Sequence, residues 1–292
     1  MSENSVRCLK FAPAYPEAVW WCAVWILGLC LVPLDHARAS EAEEQLQPLV
    51  LTTGHWPPYF DQQMPHAGIA AHIIELAAKR AGYAVEYRFY PWTRSLYMAE
   101  KGKVAGTAAW FANDQREQKF FISKSVIASG YVFFHRRKPG FDWGAVEDLA
   151  PYKIGTTIGY YYGDFFEQAL KAGKLQVESV SSDRLNFQKL LAGRIDLFPN
   201  DRVVGLYLLK HELPAGEARN IVYHPRPLLR SSLHLLLSRR LPENKTTMAR
   251  FNQALAELRD LGMIERILIQ ALGNQLGSEH RQSSAATTDE EY

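Results

Sequence analysis

Leu49-Val50-Leu51-Thr52-Thr53-Gly54, followed by the aromatic loop His55-Trp56-Pro57-Pro58-Tyr59-Phe60, opens the stretch that decides the fold. The first five residues are apolar or β-branched and end on a glycine, the pattern of a short strand. Downstream, Ile69, Ile73, Leu76 and Ala77 recur at helical spacing and Gly82 stops the run, so residues 69–81 read as a helix. Residues 85–90 read as the next strand, 92–100 as a helix and 104–109 as a third strand. Strand and helix alternating in this way imply a parallel or mixed sheet with helices packed on it.

A second series begins after an aromatic-rich strand at 129–135 and a charged turn, Arg136-Arg137-Lys138-Pro139-Gly140. Strands are expected at 153–157, 175–180 and 195–198, with helices at 164–172, 184–191 and 203–210. Residues 233–237 return as a strand, and 246–261 and 263–272 close as helices. A crossing near 130 and a return near 225 predict an α/β protein of two lobes, each a mixed β-sheet flanked by helices, joined by two hinge strands. The expected boundaries are 40–132 for the first lobe, 133–225 for the second, 226–272 for the return to the first, and a polar, disordered tail at 273–292. Ligands in such sheets bind beyond the carboxyl ends of the strands, so a cleft between the lobes, closed by hinge motion, is the expected site.

The N-terminus has its own pattern. Arg7 and Lys10 precede an uncharged stretch, Ala18 to Leu34, and Ala37-Arg38-Ala39 follows with small residues at the two positions a signal peptidase requires. Positive n-region, apolar core and cleavage site read as a secretory signal over residues 1–39, cleaved after Ala39, hence an exported protein; the alternative is an uncleaved membrane anchor. Leu29 is too bulky for the position before a lipid-modified cysteine, which argues against a lipoprotein site at Cys30. Cys8, Cys22 and Cys30 all lie in this leader, so a mature chain would hold no disulfide and no thiolate chemistry. A net charge of +2 lacks the basic footprint of a nucleic-acid binder.

Motifs of catalysis are missing: there is no G-x-S-x-G elbow, Walker loop, H-E-x-x-H or G-x-G-x-x-G. The nine histidines show no ligand spacing, so neither metal nor cofactor is expected. Arg116, in a loop after the strand ending near Ala109, is placed to hold a carboxylate through paired hydrogen bonds, if it is not simply a solvated surface arginine. Asp201, at another strand end, is placed to receive an ammonium group, to cap the helix that follows, or both. Trp56 and Tyr59, Trp92, and Trp110 sit where loops follow strands, and flat rings there can stack an apolar or cationic ligand or pack the core. Arg94, two residues beyond Trp92, is assigned to the same wall. Gly159-Tyr160-Tyr161 forms a glycine turn before a helix, where backbone N–H groups favour an anion, although a plain tight turn explains the glycine equally well.

From about Leu49 to Leu272 the chain resembles family 3 of the bacterial periplasmic solute-binding proteins, the polar amino acid-binding group of ABC transport systems. The resemblance rests on ordered blocks: Leu51-Thr52-Thr53-Gly54 with Pro57-Pro58-Tyr59-Phe60; Gly68-Ile69; Lys101-Gly102-Lys103-Val104 with Asn113-Asp114-Gln115-Arg116 and Phe121-Ile122-Ser123; Asp148-Leu149 with Ile154-Gly155 and Gly159; and Gly193-Arg194-Ile195-Asp196 with Asp201. It implies the two-lobed type II periplasmic-binding-protein fold. It also implies Arg116 on a ligand's α-carboxylate, Asp201 on its α-ammonium, Trp56 and Trp92 around its side chain, and Gly159 to Tyr161 donating to the carboxylate. A monomer delivering a small amino-acid-like solute to a membrane permease follows as the expected function. The chain departs from the pattern where Ala109-Trp110-Phe111-Ala112 replaces small hydroxyl residues, and Ala71 and His72 replace an acidic one. The first departure implies a bulkier, more aromatic pocket and weighs against an unmodified α-amino acid.

Two other classes remain to be separated. A family-derived dehydratase or lyase would need a placed acid or base, with Glu75, Asp114 and Glu117 as candidates. A ligand-sensing domain would need its leader retained as an anchor, and no output domain follows the second lobe.

Overall fold

A computed structural model describes residues 45–137 and 140–273, together with the backbone but not the side chain of Ala215. The expected leader with its three cysteines, and the tail beyond Gly273, lie outside the described residues. Among those described, no helix is long and apolar enough to cross a membrane.

In chain order the elements are β1 (Gln47–Thr53), α1 (Ile69–Arg80), β2 (Tyr83–Phe89), α2 (Trp92–Glu100), β3 (Gly106–Trp110), α3 (Asp114–Lys119), β4 (Phe120–Ile122) and β5 (Ile127–Arg136). Then come β6 (Lys153–Thr157), α4 (Asp164–Lys171), β7 (Gln176–Val180), α5 (Asp183–Leu191), β8 (Leu197–Asp201), α6 (Arg202–His211), α7 (Ala215–Ala218), β9 (Ile221–Ser238), α8 (Asn244–Asp260) and α9 (Met263–Leu272). The strands form one continuous sheet in the order β2-β1-β3-β9-β5-β8-β6-β7, with β4 also paired to β9. β1 runs parallel to β2 and β3, and β6 runs parallel to β7 and β8. β5 and β9 pair antiparallel to each other and join the two parallel groups.

Each parallel group carries its own helices. α1, α2, α8 and α9 belong with the β1 group, and α4, α5 and α6 with the β6 group. In the first half Leu51, Ile73, Ile74 and Phe251 are fully buried. In the second, Phe134, Phe187 and Phe198 pack edge to face, with centroids 5.2 and 5.1 Å apart. The inner strands β3 and β8 are buried along their whole length, whereas the edge strands β2 and β7 keep exposed residues. The protein therefore has the mixed, two-lobed α/β architecture expected from the sequence, with the two parallel groups joined by the antiparallel pair β5 and β9.

Two differences from the expected elements bear on the site. Arg116 lies on the six-residue helix α3, not in a loop. The Asn113 side chain caps that helix by accepting the Arg116 N–H at 2.9 Å, but one and a half turns are too short to show a periodic apolar face. β9 extends from Ile221, far upstream of the expected 233–237. Pro225, Arg226, Pro227 and Arg230 interrupt the strand pattern, and the sheet absorbs them with register shifts opposite Tyr131 and Val132.

Candidate functional site

The segments at the carboxyl ends of β1, β2, β3 and β6 converge on one small cavity of about 20 Å³ that opens to solvent. Trp56, Trp92, Trp110 and Arg116 reach it from the first half, and Gly159, Tyr160 and Tyr161 from the second. Ala109, Phe111, Tyr131 and Leu233 complete the wall. Six of the predicted site residues are thus brought together: Trp56, Trp92, Trp110, Arg116, Tyr160 and Tyr161.

The chain enters the wall through a strained turn. Ala109 has φ of +71°, a left-handed conformation that costs a non-glycine residue on the order of 1 kcal/mol. It forms a bulge, since Ala108 pairs with Leu235 and Trp110 with His234. The bulge re-aims Trp110, whose indole N–H donates to Thr107 Oγ1 at 2.8 Å. Trp92 meets Trp110 edge to face, with centroids 5.2 Å apart, and lies directly over Gly54. A methyl group on Gly54 would come within 2.3 Å of the Trp92 ring, so only glycine fits there.

Arg116 is 8% exposed. Its Nη1 donates to the Phe111 carbonyl at 2.6 Å, and its guanidinium lies 4.6 Å from the Trp110 ring centroid and 6.0 Å from that of Tyr161. Among the described residues no carboxylate pairs with it. Burial pushes its pKa down to about 10, against the pull of the Tyr131 and Tyr161 hydroxyls, so it stays charged at neutral pH. A buried guanidinium with unused donors beside a cavity has the chemistry to hold an anion.

Three predicted residues stand elsewhere. Asp201 is 2% exposed and does not border the cavity. Its Oδ1 accepts the Val203 and Val204 N–H groups at 2.8 and 3.0 Å, and its Oδ2 accepts the Ser129 hydroxyl at 2.6 Å. It is the N-cap of α6, and burial raises its pKa despite these bonds. Tyr59 is fully buried behind Trp56, with ring centroids 5.3 Å apart. Arg94 is exposed on α2, its guanidinium 4.5 Å from the Tyr90 ring centroid.

Sequence reasoning missed Asp183, the first residue of α5. It is 6% exposed, and its Oδ1 accepts the Thr157 hydroxyl at 2.6 Å. Its Oδ2 accepts both the Tyr160 hydroxyl at 3.0 Å and the Trp56 indole N–H at 3.2 Å, the latter a bond between the two halves of the molecule. Burial, outweighing these bonds, pushes its pKa up to about 6. An aspartate after Ser182 reads simply as first-turn helix chemistry, and nothing local announces its burial. Tyr131 was missed for a similar reason, as one aromatic residue in a strand that reads as core.

Residues 49–274 match the family described as bacterial extracellular solute-binding proteins, family 3, and the chain belongs to it. A protein of Vibrio harveyi named as an amino-acid ABC transporter-binding protein, PatH, is 25% identical over 263 residues, 87% of this chain and 97% of that one. An ancestral arginine-binding protein bound to arginine superposes with a TM-score of 0.66 at 19% identity, covering 77% of this chain and 98% of its own. The GluR0 ligand-binding core from Nostoc punctiforme in complex with L-glutamate gives 0.63 at 21% identity, covering 77% and 100%.

Proposed function

We propose that this chain is an exported, monomeric binding protein that closes two lobes on a small amino-acid-like solute and delivers it to an ABC transporter in the membrane. The observation that carries the reading is Arg116, a buried guanidinium with no acidic partner among the described residues, at the border of the cavity between the halves. Its unused donors suit the carboxylate of the solute. The name of the Vibrio relative and the arginine and glutamate held by the structural relatives support an amino-acid-like solute. The leader over residues 1–39 supports the periplasm as its compartment.

The lobes span 40–132 with 226–272, and 133–225, and β5 and β9 serve as the hinge. Trp56 and Asp183 meet across the cleft, a bond that separation of the lobes would break. The candidate acids for an enzyme support binding instead: Asp114 and Glu117 face outward on α3, and Glu75 lies 3.5 Å from His66, none of them at the cavity.

A thermal-shift panel of amino acids, amines and small carboxylates tests this. A true solute at 100 times its Kd adds about 2.7 kcal/mol to stability. That shift is expected to vanish in Arg116→Ala protein that retains its near-ultraviolet circular dichroism. A solute that stabilises both proteins equally removes the carboxylate clamp.

A further inference from the structure

We propose that the positive end of the solute is an alkylated ammonium, so that the cavity takes a betaine-type zwitterion. Its carboxylate lies at Arg116, and its methylated nitrogen lies against Trp56, Trp92 and Tyr160, with Asp183 behind two of those rings. The proposal rests on the reading of Arg116 given above and names the class of solute.

The first support is what the wall lacks. Among the side chains that border the cavity, seven are aromatic, Arg116 is the one charged group, and none is acidic. Asp201 is turned away, its two oxygens taken by the N-terminal N–H groups of α6 and by Ser129. Asp183 is equally committed, to Thr157, Tyr160 and Trp56. The acceptors left at the wall are phenol oxygens and backbone carbonyls, none of them charged. A primary ammonium or a guanidinium brings N–H donors, and each one buried without an acceptor costs about 1–3 kcal/mol. A fully methylated nitrogen carries the same charge and no donor.

The second support is the arrangement of the rings. The Trp56–Trp92, Trp56–Tyr160 and Trp92–Tyr160 centroids are 6.1, 6.1 and 6.0 Å apart, and the planes cross at 88°, 80° and 84°. The three rings therefore meet edge to face in one cluster at nearly equal spacing on the cavity wall. A cation lodged in the cavity against the faces of these rings would lie inside the ~6 Å range of cation–π attraction. Clusters of aromatic rings recognise quaternary ammonium groups. Asp183 completes the device by accepting hydrogen bonds from both Trp56 and Tyr160 through one oxygen. It fixes both rings and places a negative charge behind them, so it acts as a positioning residue for the cage.

Calorimetry with trimethylammonio-carboxylates of increasing chain length, beginning with glycine betaine, tests the proposal. Each is paired with its uncharged tert-butyl carboxylate isostere and with its primary-amine parent. The betaine of best length is expected to bind at least about tenfold tighter than either, the equivalent of ~1.4 kcal/mol of cation–π attraction. Trp92→Leu, which keeps an apolar wall without a π face, should erase most of that advantage while leaving the isostere's affinity in place. Asp183→Asn should lower betaine affinity more than isostere affinity. An isostere that binds as tightly as its betaine, or a primary amine that binds tighter, overturns the proposal. So does a panel in which no betaine binds while another carboxylate binds in an Arg116-dependent way, and the carboxylate clamp then stands. If no carboxylate binds through Arg116, both readings fall.

Discussion

Replacing Asp183 by asparagine isolates a buried carboxylate that ties the two halves together through Trp56. In the folded protein it faces hydroxyl and indole donors and no cation, and its pKa moves from an ordinary 3.8 up to about 6. An acid with a raised folded-state pKa holds its proton more tightly when folded than when unfolded. Its contribution to stability is therefore fully present below the unfolded pKa and is lost as pH rises through about 6. The interval is about 2 pKa units, and at ~1.4 kcal/mol each the swing is about 3 kcal/mol. Asparagine has no proton to lose. The stability of the variant relative to wild type should thus rise by about 3 kcal/mol between roughly pH 4 and pH 7. That rise sits on a constant loss of about 1–3 kcal/mol, because one amide oxygen cannot accept all three bonds. Urea unfolding followed by tryptophan fluorescence across this range measures both quantities. A difference that stays flat with pH, or that falls as pH rises, refutes the reasoning, since either outcome means that Asp183 is ionised in the fold without penalty.

The remaining predictions concern residues around the same cavity. Gly54→Ala would place a methyl 2.3 Å from the Trp92 ring, against an ordinary contact of about 3.4 Å. The ring must retreat, and calorimetry should show solute affinity falling at least about tenfold, with about 1–3 kcal/mol of overpacking cost in the unfolding curve. Asp201→Ala removes the α6 cap and should cost about 3 kcal/mol in chemical denaturation. The folded variant should still bind its solute, and loss of binding in a folded Asp201→Ala protein would return Asp201 to the role of ammonium acceptor. Ala109→Gly relaxes a φ of +71° and should raise the melting temperature by the equivalent of about 1 kcal/mol, whereas a lower melting temperature would show that the bulge is not strained.

The alternation of short apolar strands with periodic helices made most of the architecture legible, because each half buries its sheet under its own helices and so repeats a strong local signal. Trp56, Trp92 and Trp110 were legible as cavity residues for a topological reason: strand ends in this fold point into the cleft. The parts that escaped reading depend on contacts distant in sequence. Asp183 reaches Trp56 across 127 residues and Tyr160 across 23, and its local sequence looks like an ordinary helix start. Asp201 showed its capping chemistry in sequence, but only the fold places its side chain away from the cavity wall. The long reach of β9 was hidden by its prolines, and the short α3 by its length.

The central claim is that a carboxylate is held at Arg116 between the two halves, and the most direct measurement is the crystal structure of the protein with its tightest-binding solute. The account predicts carboxylate oxygens within hydrogen-bond distance of the Arg116 guanidinium, and the rest of the solute against the rings of Trp56, Trp92 and Tyr160. A solute seated elsewhere, or one that leaves Arg116 bonded only to the Phe111 carbonyl, would contradict it.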